Sequence, residues 1–147
     1  MCEHGRRSVL ICAGGALAGL LVGGRPASAS DRTFLTQDAQ RFIAEAERTR
    51  REAVRAGDQS FGAIVVRGRD IVGWGPSRVV VDRNPAAHAE RVAIWDAQAR
   101  LGAGDLSGCL LYSTSRPCSA CESAAAAARI DRMHWGKRGL DAGQPRG

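Results

Sequence analysis

No apolar run in the 147-residue sequence favours a membrane span. The longest, Val9 to Val22, is about 14 residues and rich in glycine, against roughly 20 for a spanning helix. No dense basic run interleaved with aromatics occurs, so the formal charge of +6 does not demand a nucleic-acid groove. Internal repeats and long low-complexity linkers are also missing, and the length suits one domain with a single core. Cysteine is scarce. Of the five, Cys2 and Cys12 lie in an N-terminal segment, leaving Cys109, Cys118 and Cys121, an odd set that argues against a pure disulfide framework.

That N-terminal segment, residues 1–29, reads as an export leader. It has a basic start (Arg6, Arg7), the apolar run, and small residues ending in Ala27-Ser28-Ala29, an A-x-A site with cleavage expected after Ala29. The adjacent arginines before Ser8-Val9-Leu10 resemble a twin-arginine signal, and Arg25 near the cut fits that route. An ordinary secretory leader is the alternative. Cys12 is a poor lipoprotein cysteine because Ile11 before it is not small. The expected location is periplasmic or extracellular. Cleavage removes three arginines and one glutamate, taking the charge from +6 to +4.

In the mature chain, Ala39, Phe42, Ile43, Ala46, Ala53 and Val54 recur at helical spacing over Thr36 to Ala56, with Gly57 as a stop. Phe61 to Gly68 is β-branched and predicts a strand; a tight turn near Gly68-Arg69 leads to a second, making a hairpin. Ser77 to Arg83 is expected to be a loop. Asn84 suits an N-cap and Pro85 the first position of a helix running to about Leu101, with Val92, Trp95, Ala99 and Leu101 mostly facing the core. Cys109 to Ser115 predicts a third strand. Pro117 opens a helix through Ala124 to Ala128, and Ile130 to Gly136 predicts a fourth strand. Residues 30–136 form the expected domain, and residues 137–147 a flexible tail. Helices alternating with strands predict a three-layer α/β/α arrangement around a mixed sheet of four to five strands.

Chemistry concentrates in two places. His88 and Glu90 sit near the start of the second helix. Cys118 and Cys121 form a C-x-x-C at the first turn of the third. Unsatisfied N–H groups and the helix dipole there favour thiolates. Two thiolates and an imidazole are good zinc ligands, and a catalytic zinc takes three protein ligands plus water. The strand between these stretches lets two helix starts meet at one sheet edge, bringing Glu90 near the open position.

The combined pattern, H-x-E followed by P-C-x-x-C, is the signature of zinc deaminases. From about Phe61 to Gly136 the chain resembles the cytidine-deaminase-like superfamily. Within it, "FGA" at 61 to 63 and "NPAAHAE" at 84 to 90 resemble guanine deaminases and tRNA adenosine deaminases. The resemblance implies Zn2+ on His88, Cys118 and Cys121, with Glu90 carrying protons from the attacking water to the ring nitrogen and departing ammonia. It also implies a substrate pocket lined around Ala89, Phe61 and Ala63, and a homodimeric assembly. Many relatives have an asparagine contacting the base where this chain has Ser77, and "EPC" where it has Arg116-Pro117-Cys118. Many also continue past the fourth strand with groups that close the pocket.

Those departures leave the ring open and allow a degraded, inactive copy. Export favours a free nucleobase, nucleoside or related amino-heterocycle over tRNA. Two rivals stand beside this reading. A thioredoxin-like redox protein would use Cys118 and Cys121 but leaves His88 and Glu90 without a role. A structural zinc module would need a fourth ligand, with His134 or Cys109 as candidates. Trp74, Trp95 and Trp135 suit base stacking or packing, and Arg116 suits an anionic group or solvent. The valines at 79 to 81 suit a subunit contact.

Overall fold

The computed structural model describes residues 29–147; the expected leader, apart from Ala29, lies outside the described residues. Among the described residues, three helices and five strands run in the order α1 (Ala29–Arg55), β1 (Gly62–Arg67), β2 (Asp70–Pro76), α2 (Ala89–Leu101), β3 (Cys109–Ser113), α3 (Ser119–Ala127), β4 (Arg132–Trp135) and β5 (Asp141–Gly143). Helix α1 begins seven residues before the expected Thr36. No glycine or proline interrupts Ala29–Arg55, so each added residue gains a helical hydrogen bond without a breaker's cost. Gly57, at φ 79°, ends the turn after it, and the Asp58 N–H returns to the Ala53 carbonyl at 2.9 Å.

The sheet order is β2-β1-β3-β4-β5. β1 pairs antiparallel with both β2 and β3, β3 pairs parallel with β4, and β4 pairs antiparallel with β5. The one parallel pair is joined through α3, as a crossover requires. β1 lies between β2 and β3 and is buried on both faces. Ile64 and Val66 pack with Tyr112 against Ala39, Phe42, Ile43 and Ala46 of α1. Ala63 and Val65 pack on the other side with Ala89, Ala93, Ile94 and Ala97 of α2 and Ala125 of α3. The sheet is therefore covered on both faces, as expected.

Three expectations are corrected. Asn84 and Pro85 do not start α2. The Asn84 side-chain oxygen accepts from the Ala86 N–H at 2.9 Å, and its carbonyl accepts from the Ala87 N–H at 3.0 Å. They form a turn, for which asparagine followed by proline is equally suited, and α2 begins at Ala89 with His88 as N-cap.

The inner face of α2 also differs: Ala93, Ile94 and Ala97 are buried, whereas Trp95 is 41% exposed and Ala99 is exposed. The reason lies in β2. A Cβ on Gly73 would lie 2.4 Å from the Ala93 carbonyl oxygen, and one on Gly75 would lie 2.0 Å from that of Ala89. The helix backbone rests on a glycine floor, where only alanines fit.

Finally, the last eleven residues are not structureless. Asp141–Gly143 form β5, aligned so that Trp135 faces Asp141 and His134 faces Ala142.

Candidate metal and catalytic site

His88 and Cys118 are the N-caps of α2 and α3, both with extended backbone, and neither side chain caps its own helix. The imidazole and the thiol are thereby free to turn toward each other where two helix starts converge. Each start carries unsatisfied N–H groups and a partial positive charge, which favours anionic sulfur. Cys121, one turn into α3, is fully buried. His88 Nδ1 lies 3.6 Å from Cys118 Sγ and 3.5 Å from Cys121 Sγ, and the three ligand atoms all lie within 4.8 Å of one another. Zinc bonds of about 2.3 Å to sulfur and 2.0–2.1 Å to nitrogen, set tetrahedrally, give N···S edges of about 3.6 Å. The spacing fits that ion.

Glu90 sits in the first turn of α2 and is 5% exposed. Its Oε1 accepts from the Ser113 hydroxyl at 2.8 Å, and its Oε2 lies 3.5 Å from Cys121 Sγ. Burial, then the Glu90 carboxylate and the Cys118 sulfur, push the Cys121 thiol well above its ordinary range. Two sulfurs and a carboxylate at such distances repel as anions, and a divalent cation between them inverts that electrostatic balance. Neither candidate fourth ligand joins the group. Cys109 is buried in the core on β3, and the His134 ring stacks on Tyr112 at 4.7 Å. Among the described residues three protein ligands come together, which leaves a tetrahedral ion one open position, as a catalytic zinc requires.

A cleft of about 150 Å³ opens over these residues, lined by Phe61, His88, Ala89, Glu90 and Cys118 together with Gln59, Ser115 and Arg116. Phe61 and Ala89 are thus where the pocket expectation put them. Ala63 is fully buried in the core, and Ser77 is 2% exposed; neither is on the cleft wall. The Ser77 hydroxyl donates instead to Asp58 Oδ1 at 2.8 Å. Gln59, Ser115 and Ser113 were missed in the sequence, where nothing distinguishes a serine at a strand end or a glutamine before a strand. Trp74 and Trp95 are also absent from the cleft wall; the Trp74 indole N–H donates to Glu45.

The region described as cytidine and deoxycytidylate deaminase zinc-binding matches residues 36–137. The chain belongs to this family. The family binds zinc here, and His88, Cys118 and Cys121 are positioned to hold a metal ion.

Among relatives, a tRNA-specific adenosine deaminase from Aquifex aeolicus is 36% identical over 92 residues, covering 63% of this chain and 61% of that protein. A guanine deaminase from Bacillus subtilis is 36% identical over 94 residues, covering 63% and 60%. The crystal structure of a B. subtilis guanine deaminase superposes with a TM-score of 0.63 at 35% identity, covering 66% of this chain and 62% of that one. A further structure, solved in complex with 2,6-diaminopurine, gives a TM-score of 0.62 at 30% identity, covering 66% and 55%. The fold is cytidine-deaminase-like. The matched region spans about six-tenths of the length of the two sequence relatives.

Proposed function

We propose that the protein is a zinc-dependent hydrolytic deaminase of a small amino-bearing ring: a nucleobase, a nucleoside or a related heterocycle. The observation that carries this reading is the placement of Glu90. One carboxylate oxygen is held by Ser113 and the other faces the His88–Cys118–Cys121 group across 3.5 Å at Cys121, on the wall of the same cleft as His88. Bound zinc supplies the Lewis acidity that makes water a nucleophile near neutral pH. Glu90 would take one proton from the attacking water on Oε2 and pass it to the ring nitrogen, then take the second from the hydroxyl now on the ring carbon and pass it to the leaving amine. Water's oxygen becomes the ring carbonyl, and the amino group leaves as ammonia. Ser113 keeps the carboxylate from rotating away between these transfers. A cleft of about 150 Å³ suits a single ring system better than a folded RNA, and known relatives act on guanine as well as on tRNA.

The leader would export the protein by the twin-arginine route, which suits a metal site filled before transport. The exposed Val80 and Val81 are the proposed contact of a homodimer.

Glu90→Gln separates the roles. Glutamine is nearly the same size but cannot accept and return a proton. The variant should keep one zinc and its melting temperature while losing at least about a hundredfold in ammonia release. His88→Ala should lose zinc and stability together. Near wild-type turnover in Glu90→Gln would remove the proton-carrier role, and loss of zinc there would make Glu90 a ligand.

A further inference from the structure

A second cleft, of about 200 Å³, adjoins the first, and Arg116 lines both. It is built by the strand that the sequence did not announce. β5 pairs along β4, and a Cβ on its Gly143 would stand 3.2 Å from the Trp135 ring. The chain therefore lies close against the indole and carries Gln144 and Arg146 into the cleft wall. The Arg116 guanidinium is 5.8 Å from the Trp135 ring centroid, a cation–π contact that biases its position. Among the described residues, neither Arg116 nor Arg146 takes part in an ion pair. Glu122, in the same cleft, offers an acceptor for hydroxyl groups.

We propose that this cleft is the subsite for an anionic arm of the substrate, a phosphomonoester on the sugar of a nucleotide. The ring would lie against His88 and Glu90, the sugar hydroxyls near Glu122 and Gln144, and the phosphate on Arg116 and Arg146. Guanidinium forks match phosphate oxygens bidentately, and such charge-assisted bonds are about twice as strong as neutral ones. At about 200 Å³ the cleft is larger than the first, of about 150 Å³, and has room for a phosphorylated arm. The proposal rests on the deaminase reading, which places the ring in the first cleft.

The test is calorimetric titration of the zinc-loaded full chain with guanosine, adenosine and cytidine, each beside its 5′-monophosphate, together with inorganic phosphate and a short single-stranded RNA. Ammonia release is read on the same samples. In at least one pair the monophosphate should bind about tenfold more tightly than its nucleoside. That ratio should fall toward one in Arg146→Gln, and again in Arg116→Gln, and shrink with added salt. Equal affinity within every pair, no binding of any probe, or an undiminished ratio in both variants would overturn the subsite. Tighter binding of RNA than of any mononucleotide would overturn the choice of ligand. Ammonia from nucleosides with no advantage for monophosphates would overturn the subsite and leave the deaminase reading standing. A monophosphate advantage without ammonia from any probe would support the subsite and overturn that reading.

Discussion

Asp58 shows how much of the cleft's shape depends on one carboxylate. Its Oδ1 accepts from the Gln59 N–H at 2.7 Å and the Ser77 hydroxyl at 2.8 Å, and its Oδ2 from the N–H groups of Val80 and Val81 at 2.9 and 2.8 Å. These bonds tie the loop after β2 to the residue before Gln59 on the cleft wall. Burial pushes Asp58 up, but the Val81, Ser77, Gln59 and Val80 donors outweigh it and hold the carboxyl below its ordinary value. A depressed acid stabilises the fold above its unfolded value of about 3.9, and that contribution drains as pH falls through the lower folded value. Asp58→Asn leaves donors facing an amide NH2 and, at a site open to water, should cost about 0.5–1.5 kcal/mol near neutral pH. In thermal melts, the gap from wild type should narrow as pH is lowered from about 5 to below 3; a gap independent of pH would contradict the carboxylate's role. His88, Glu90, Cys118 and Cys121 were legible because their chemistry depends on residue type and spacing. Asp58 and Ser113 were not, because a lone aspartate before a strand and a serine at a strand's end carry no pattern until the chain has folded. Ser77 was misplaced for the same reason: its partner Asp58 lies nineteen residues away.

At the level of elements, the contact between β2 and α2 governs the site, since Ala89, which rests on Gly75, lies between His88 and Glu90. Gly75→Ala places a methyl group 2.0 Å from the Ala89 carbonyl oxygen and 2.5 Å from the Ala93 nitrogen. Both are backbone atoms that cannot turn aside. Overpacking of this kind costs about 1–3 kcal/mol or more, and the shifted helix start should reduce zinc retention with it. Gly104→Ala is the control: its Cβ meets nothing within 4 Å, and the change should stay within about 0.5 kcal/mol. Thermal melts and zinc analysis of the two variants check this, and equal behaviour would contradict the glycine floor. The first four strands were readable from β-branched and apolar runs. The start of α2 was not, because Asn84-Pro85 is both a helix-start and a turn signal. β5 was invisible because Asp-Ala-Gly has no strand propensity of its own and takes its form from pairing with β4.

For the whole molecule, the order β2-β1-β3-β4-β5 brings the starts of α2 and α3 together, so ligands thirty residues apart meet. The expected three-layer arrangement was legible from the alternation of elements. The second cleft was not, because it depends on β5 and on Arg146 near the end of the chain. The proposed export belongs to this scale too. Arg6→Lys with Arg7→Lys should block arrival in the periplasm while the cytoplasmic pool still binds zinc and melts as wild type does. Fractionation reads the outcome, and continued export would point to the general secretory route. Zinc-dependent turnover is read from ammonia release from guanine, adenine, cytosine, their nucleosides and 5′-monophosphates and amino-triazines, before and after chelation and with one equivalent of zinc restored. A zinc deaminase should release ammonia from at least one of these rings, fall to background after chelation, and recover with stoichiometric zinc. A protein that carries one zinc per chain and releases ammonia from none of them, or one that works equally well without the metal, would contradict the deaminase reading.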